Sequence, residues 1–131
     1  MTKDERAALL EQSVLPILLG NGFAAHLLAV KIYLRYGITS FVCGSRKKPL
    51  DRLNPACGFY RLFRQTEDRL AAEQLLALAD GYGDVLFVLV PTAEEDRRFM
   101  EAYASELESR FIFSDPRTIF AKLPFASASR A

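Results

Sequence analysis

Val85-Leu86-Phe87-Val88-Leu89-Val90 is an unbroken apolar run, preceded by Gly83-Asp84 and closed by Pro91. A run of this length and composition is a strand, and a strand with no polar face must be covered on both sides. An antiparallel strand with one wet face would alternate polar with apolar residues. This segment therefore asks for a parallel sheet with helices on each face, and the rest of the chain has to supply them.

It does so in alternation. Val14 to Leu19 is a second continuous apolar run, ending at Gly20, with Pro16 near its start where proline is tolerated. Phe23 to Tyr36 has helical length, few β-branched residues and a stop at Gly37. It is so nearly apolar, with only Lys31 and Arg35 as charges, that it should be covered on more than one side. Ile38 to Cys43 reads as a strand and residues 45–57 as a loop, with Ser45, Arg46, Lys47, Lys48, two prolines and Asn54. Phe59 to Phe63 alternates apolar residues with arginine, a more exposed strand. Thr66-Glu67-Asp68 caps a helix to about Ala79, with Ala71, Leu75 and Leu78 on one face. After the central run, Thr92 and Glu95 have capping-box spacing. The helix they open runs to about Ser109, with Phe99, Tyr103 and Leu107 aligned. Phe111-Ile112-Phe113 is a short fifth strand, and Asp115-Pro116 starts a last short helix. Residues 4–12 read as a short amphipathic helix and residues 126–131 as a frayed tail.

Strands alternating with helices imply βαβ units with right-handed crossovers. The expected fold is α/β: a three-layer αβα, Rossmann-like domain over residues 1–125 around a mostly parallel five-stranded sheet. Order 3-2-1-4-5 leaves the polar third strand at an edge and the apolar fourth inside. Half of the 131 residues are hydrophobic, enough to bury a core, and a chain of this length makes one domain. The net charge of +1, from 17 basic and 16 acidic side chains, gives no general argument for nucleic acid or an anionic membrane as partner. Acidic residues at the N-terminus and the lack of a long apolar segment point to the cytoplasm. Cys43 and Cys57 read as reduced thiols, and with His26 as the single histidine there is no multi-histidine metal site.

In such a sheet, ligands bind outside the carboxyl ends of the strands, where strand order reverses. The first strand's exit, Gly20-Asn21-Gly22-Phe23-Ala24-Ala25, fits Gly-x-Gly-x-x-Gly/Ala between a strand and a helix. Glycines there let backbone approach a phosphate, and free N–H groups at the helix start supply partial positive charge. The same glycines also suit a tight turn that needs them only for its backbone angles. The second strand's exit, Gly44-Ser45-Arg46-Lys47-Lys48, has cations where a dinucleotide site would place an acid for the ribose hydroxyls. That argues against a cofactor with free ribose hydroxyls. It leaves a 2′-phosphate or another phosphate on Arg46, with a solvated basic loop as the alternative. The candidate ligand-binding residues are thus Gly20, Asn21, Gly22, Gly44, Ser45 and Arg46, for a nucleotide or a phosphate. No catalytic set assembles: His26 reads as a packed core residue, and Glu94, Glu95 and Asp96 as first-turn acids complementing a helix dipole.

Four segments, Leu15 to Gly20, Ala25 to Ala29, Tyr36 to Ser40 and Val42 to Gly44, resemble the N-terminal, pre-ATP-grasp lobe of ATP-grasp carboxylate–amine ligases. Asp84 to Val90 is similar to its central strand, Glu106 to Asp115 to its closing helix and strand, and Pro116 to Leu123 to its exit helix. Pro91-Thr92-Ala93 departs from the glycine-rich exit expected after the central strand. In that family ATP and metal are held chiefly by the two lobes that follow, which these residues do not include. The resemblance implies a Rossmann-like fold and no ligase activity by this domain alone. The expected function is an accessory or interaction subunit of an ATP-grasp-type system, partnered by a catalytic subunit or by itself. The alternative is a small-ligand binding module, with an NADP-binding protein behind both.

Overall fold

The structure, a computed structural model, describes residues 12–62, 68–117 and 119. Five strands form one all-parallel sheet in the order β3-β2-β1-β4-β5, as expected. They are β1 (Val14–Leu19), β2 (Ser40–Gly44), β3 (Cys57–Arg61), β4 (Leu86–Pro91) and β5 (Phe111–Phe113). Five helices alternate with them: α1 (Phe23–Tyr36), α2 (Pro49–Leu53), α3 (Asp68–Asp80), α4 (Glu94–Ala102) and α5 (Ala104–Leu107). The helices expected at 4–12 and 116–123, the Thr66 cap and the tail lie outside the described residues or run beyond them.

β1 and β4 are the middle of the sheet because nothing polar on them needs water. Their register runs from Val14↔Leu86 to Leu19↔Pro91, and all six residues of β1 are buried. Successive side chains on a strand point to opposite faces, so β1 divides itself between two cores. Leu15, Ile17 and Leu19 join Phe87, Leu89 and Phe111 under α3, α4 and α5. Val14 and Leu18 join Val42, Val88 and Val90 under α1, through Ala25, Leu28, Ala29 and Ile32. Pro16 sits one residue before the first β1–β2 partners, Ile17↔Phe41, so on that side its missing N–H removes no ladder bond.

Local chemistry departs from expectation in several places. Residues 45–57 contain a helical turn, α2, because Pro49 suits a first helical turn and the Asp51 carboxylate accepts the Lys48 N–H at 2.6 Å. The helix expected to run to Ser109 is interrupted at Tyr103, which ends α4 and opens α5. The acid that reaches back at the start of α4 is Asp96, not Glu95: its carboxylate accepts the N–H groups of Thr92 and Ala93 at 3.2 and 2.9 Å. β3 begins at Cys57, two residues before the expected start. Asp115 does cap the next turn, accepting the Arg117 N–H at 2.8 Å while Arg97 donates to its other oxygen at 2.8 Å. These two donors, the Arg117 N–H first, hold its carboxyl below the ordinary 3.8.

Leu18 is completely buried between β1's neighbours and α1. Leu18→Ala is expected to lower the unfolding free energy by about 2–5 kcal/mol, read from the midpoint of urea denaturation.

Candidate functional site

The exits of β1, β2 and β4 converge on a cleft of about 1000 Å³ at the carboxyl edge of the sheet. Strand order reverses there, since β1 continues outward to β2 and β3 while the later strands lie on its other side. All six residues expected to bind ligand, Gly20, Asn21, Gly22, Gly44, Ser45 and Arg46, line this one cleft. Lys48 and Arg61 stand with them, and Thr92, Glu95 and Asp96 form the opposite wall. The cleft is therefore cationic on the β2–β3 side and carboxylate-lined on the β4 side.

Its glycines do different work. Gly20 has φ of +106°, and a Cβ there would fall 2.6 Å from Thr92 Oγ1, whose hydroxyl donates to the Leu19 carbonyl. Both the backbone angle and the crossing of the β4 exit require glycine. Gly44 lies against Asn21, whose Oδ1 would be 2.5 Å from an added Cβ. Gly22 is unlike either: a Cβ there would meet nothing within 4 Å, and its φ of −83° suits any residue. It is the N-cap of α1, makes no side-chain cap bond, and no acid stands in the first turn. The leading N–H groups of a fourteen-residue helix thus open beside the cleft.

The cationic wall is held in place by a buried carboxylate. Asp51 is 5% exposed. Its Oδ2 accepts Asn21 Nδ2 at 2.8 Å and the Lys48 N–H at 2.6 Å; its Oδ1 lies 2.6 Å from His26 Nε2. Asn21 Nδ2 also donates to the Arg46 carbonyl at 2.9 Å. The loop from Gly44 to Lys48 is thereby tied at two points to the turn that opens α1. The His26 tautomer follows from its neighbours. Asn54 Oδ1 accepts the Ala56 N–H at 3.0 Å, which turns the Asn54 amide nitrogen toward His26 Nδ1, also at 3.0 Å. Nδ1 is then the acceptor, and the ring proton sits on Nε2, donated to Asp51.

Cys57 Sγ lies 3.6 Å from His26 Nδ1, so the fold assembles a cysteine–histidine–aspartate set that spacing along the chain does not reveal. It is built against nucleophilic chemistry. Burial, and then the Asp51 charge, push the Cys57 thiol up to about 12 from an ordinary 9.0, the reverse of an activated thiolate. The acceptor nitrogen of His26 is taken by Asn54, and neither His26 nor Cys57 lines the cleft. Cys43 and Cys57 are thiols, not joined in a disulfide. Among the described residues no group of three or more histidine, cysteine or acidic side chains is placed to hold a metal, and no helix is long and apolar enough to cross a membrane.

The glycine fingerprint and the basic loop were visible in the sequence. Asp51 was not, although its position two residues after Pro49 is a helix-opening signal. Lys48 belongs to that basic loop, and Thr92 carried only a helix-capping signal; Arg61 and Asp96 reach the cleft through strand order and carry no local motif for a ligand. Comparison of the chain with protein-family models, curated proteins and solved structures finds no match.

Two outcomes test this geometry. Asp51→Ala strips three donors of their acceptor and is expected to destabilise by about 3–5 kcal/mol, measured by urea denaturation. The Cys57 thiol should resist alkylation at mildly alkaline pH until the protein unfolds. Because its folded value lies above its unfolded one, its contribution to stability is present below pH 9.0 and lost as pH rises toward 12. A Cys57→Ser control followed by thermal unfolding across that window should show the smaller decline.

Proposed function

We propose that this protein is a non-catalytic binding module that takes a small phosphate-bearing ligand, a nucleotide or a simpler phosphate ester, in the cleft at the carboxyl edge of its sheet. The observation that carries this reading is Gly22. Gly20 and Gly44 are glycines because their own neighbours leave no room. Gly22 has open space beside it and an ordinary backbone angle, so the fold itself does not demand a residue without a side chain there. Close approach by a ligand to the uncapped N-terminus of α1 supplies the reason. Arg46, Lys48 and Arg61 stand on the side where the phosphate charge would lie, and Glu95 faces the part of the ligand that carries hydroxyl or amine donors.

The absence of catalysis belongs to the same reading. The one histidine is occupied inside the protein, the half-buried thiol is held protonated, and Asp96 accepts the N–H groups that turn the chain into α4. A module that binds and does not transform fits an accessory role. The resemblance to a pre-ATP-grasp lobe makes an ATP-grasp catalytic subunit the first partner to test, and the exposed outer face of α1 favours a partner of some kind.

Titration with ADP, NADPH and inorganic phosphate, followed by calorimetry and thermal shift, tests the proposal. Saturation at about 100 times the dissociation constant should add about 2.7 kcal/mol of stability. Gly22→Val should leave unliganded stability within about 1 kcal/mol, since its side chain meets open space, and should abolish binding. Arg46→Glu should weaken binding by about tenfold or more. Failure of all three ligands to shift the melting temperature overturns the proposal, as does a Gly22→Val protein that binds normally.

A further inference from the structure

The near-zero net charge hides a division of the chain into two oppositely charged parts. Residues 21–62 hold seven cations and a single acid, the buried Asp51; residues 68–117 hold five cations and eleven acids. In the second part, Arg69, Arg97, Arg98 and Arg110 all pair with carboxylates. In the first, Lys31, Arg35 and Arg52 are exposed and form no salt bridge with a described acid.

The same part carries an uncovered apolar strip. α1 buries Ala25, Leu28, Ala29, Ile32 and Tyr36 against the sheet. At about 100° per residue, Phe23, Leu27 and Leu34 fall together on the opposite side of the helix. Phe23 is 75% and Leu34 77% exposed, and Leu53 on neighbouring α2 is 75% exposed. The helix expected to be covered on more than one side is covered among the described residues by the sheet, by Ile119 at Tyr36 and, along the His26 flank, by α2. The strip runs about 16 Å from Phe23 to Leu34. α2, with Leu50 and Leu53, bounds it on the His26 side. Lys31 and Arg35, one helical turn apart, bound it on the other.

We infer that this face docks an amphipathic helix of a partner protein, whose apolar residues cover Phe23, Leu27 and Leu34 and whose acidic flank lies along Lys31 and Arg35. A rod-shaped strip with cations in a row at i and i+4 matches a helix bearing acids at the same spacing. Pairing the strip with itself in a symmetric dimer would bring cation-rich surfaces together with no exposed acid on either helix to offset them. A bilayer would be matched by cations around the whole rim, and here Lys31 and Arg35 form one row while Arg52 alone stands on the α2 side.

The test uses the full chain and two fluorescent helical peptides of about 18 residues. Both carry leucines at i, i+4, i+7 and i+11; one is flanked by glutamates, the other by lysines. The glutamate peptide should bind, weakening about tenfold in Leu34→Glu and in the double variant Lys31→Glu/Arg35→Glu, and weakening in about 0.5 M salt. The double variant should gain affinity for the lysine peptide, which a merely damaged fold would not do. Equal binding of both peptides, or of neither, overturns the inference. So does sedimentation as a dimer, or binding to vesicles of phosphatidylcholine and phosphatidylserine, that Leu34→Glu abolishes. Leu34 lies three turns from the cleft, so ligand titration of Leu34→Glu reports separately on the phosphate site.

Discussion

The Asp51 carboxylate is the group on which the carboxyl edge of this sheet depends. An ionised carboxylate out of water is tolerable only when its lone pairs are occupied, and here an imidazole, a side-chain amide and a backbone N–H occupy them. These donors come from the first turns of α1, from the β1–α1 turn and from the loop after β2. The turn and the loop have little apolar surface to hold them, whereas α1 is anchored by Ala25, Leu28 and Ala29. The carboxylate replaces packing with direction: it fixes where the basic loop lies relative to the helix start, and hence where Arg46 and Lys48 stand. Asn54, gripping His26 from the other side, sets the imidazole tautomer that lets Asp51 accept.

The same network explains the glycines without appeal to a ligand, except once. Asn21 is the second residue of the fingerprint, and its amide is committed inside the protein to Arg46 and Asp51. Because Asn21 fills that space, Gly44 has to be glycine. Because Thr92 hooks onto the Leu19 carbonyl, Gly20 has to be glycine as well. Of the two glycines in the fingerprint itself, Gly20 is a piece of packing and Gly22 alone stands open.

The strands, their order and the strand–turn–helix opening were legible because burial writes itself into sequence as periodicity. β1 and β4 are apolar without interruption, while β3 carries an arginine and sits at an edge. The candidate ligand residues were legible because glycine and basic clusters are local signals, and strand order was enough to bring them together. What was not legible arises from contacts far apart in sequence. Asp51 meets Asn21 across thirty positions and His26 across twenty-five, with no pattern in either neighbourhood to announce it. The break at Tyr103 was hidden for a related reason. Phe99, Tyr103 and Leu107 keep helical spacing, and the Phe99 and Tyr103 rings stay in tilted contact, 5.5 Å between centroids, across the interruption, so the apolar pattern continues where the backbone does not.

Net composition leaves one property unseen, and the reason is physical. Net charge sums over the chain, whereas recognition depends on where charge lies. In this topology β1, β2 and β3 with α1 and α2 occupy one end of the sheet and β4 and β5 with α4 and α5 the other, while α3 crosses between them, its Gln74 carbonyl accepting the Tyr60 hydroxyl of β3. Charge segregated along the chain becomes charge segregated in space. The acidic part pairs four of its five arginines internally, through Glu106, Asp115, Glu94 and Asp80. The basic end keeps Lys31, Arg35 and Arg52 turned to solvent beside exposed leucines and a phenylalanine. Cations that pair with no described acid, beside exposed apolar surface, are the arrangement in which a partner gains from burial and from charge together, and Phe23 brings that surface to the lip of the cleft.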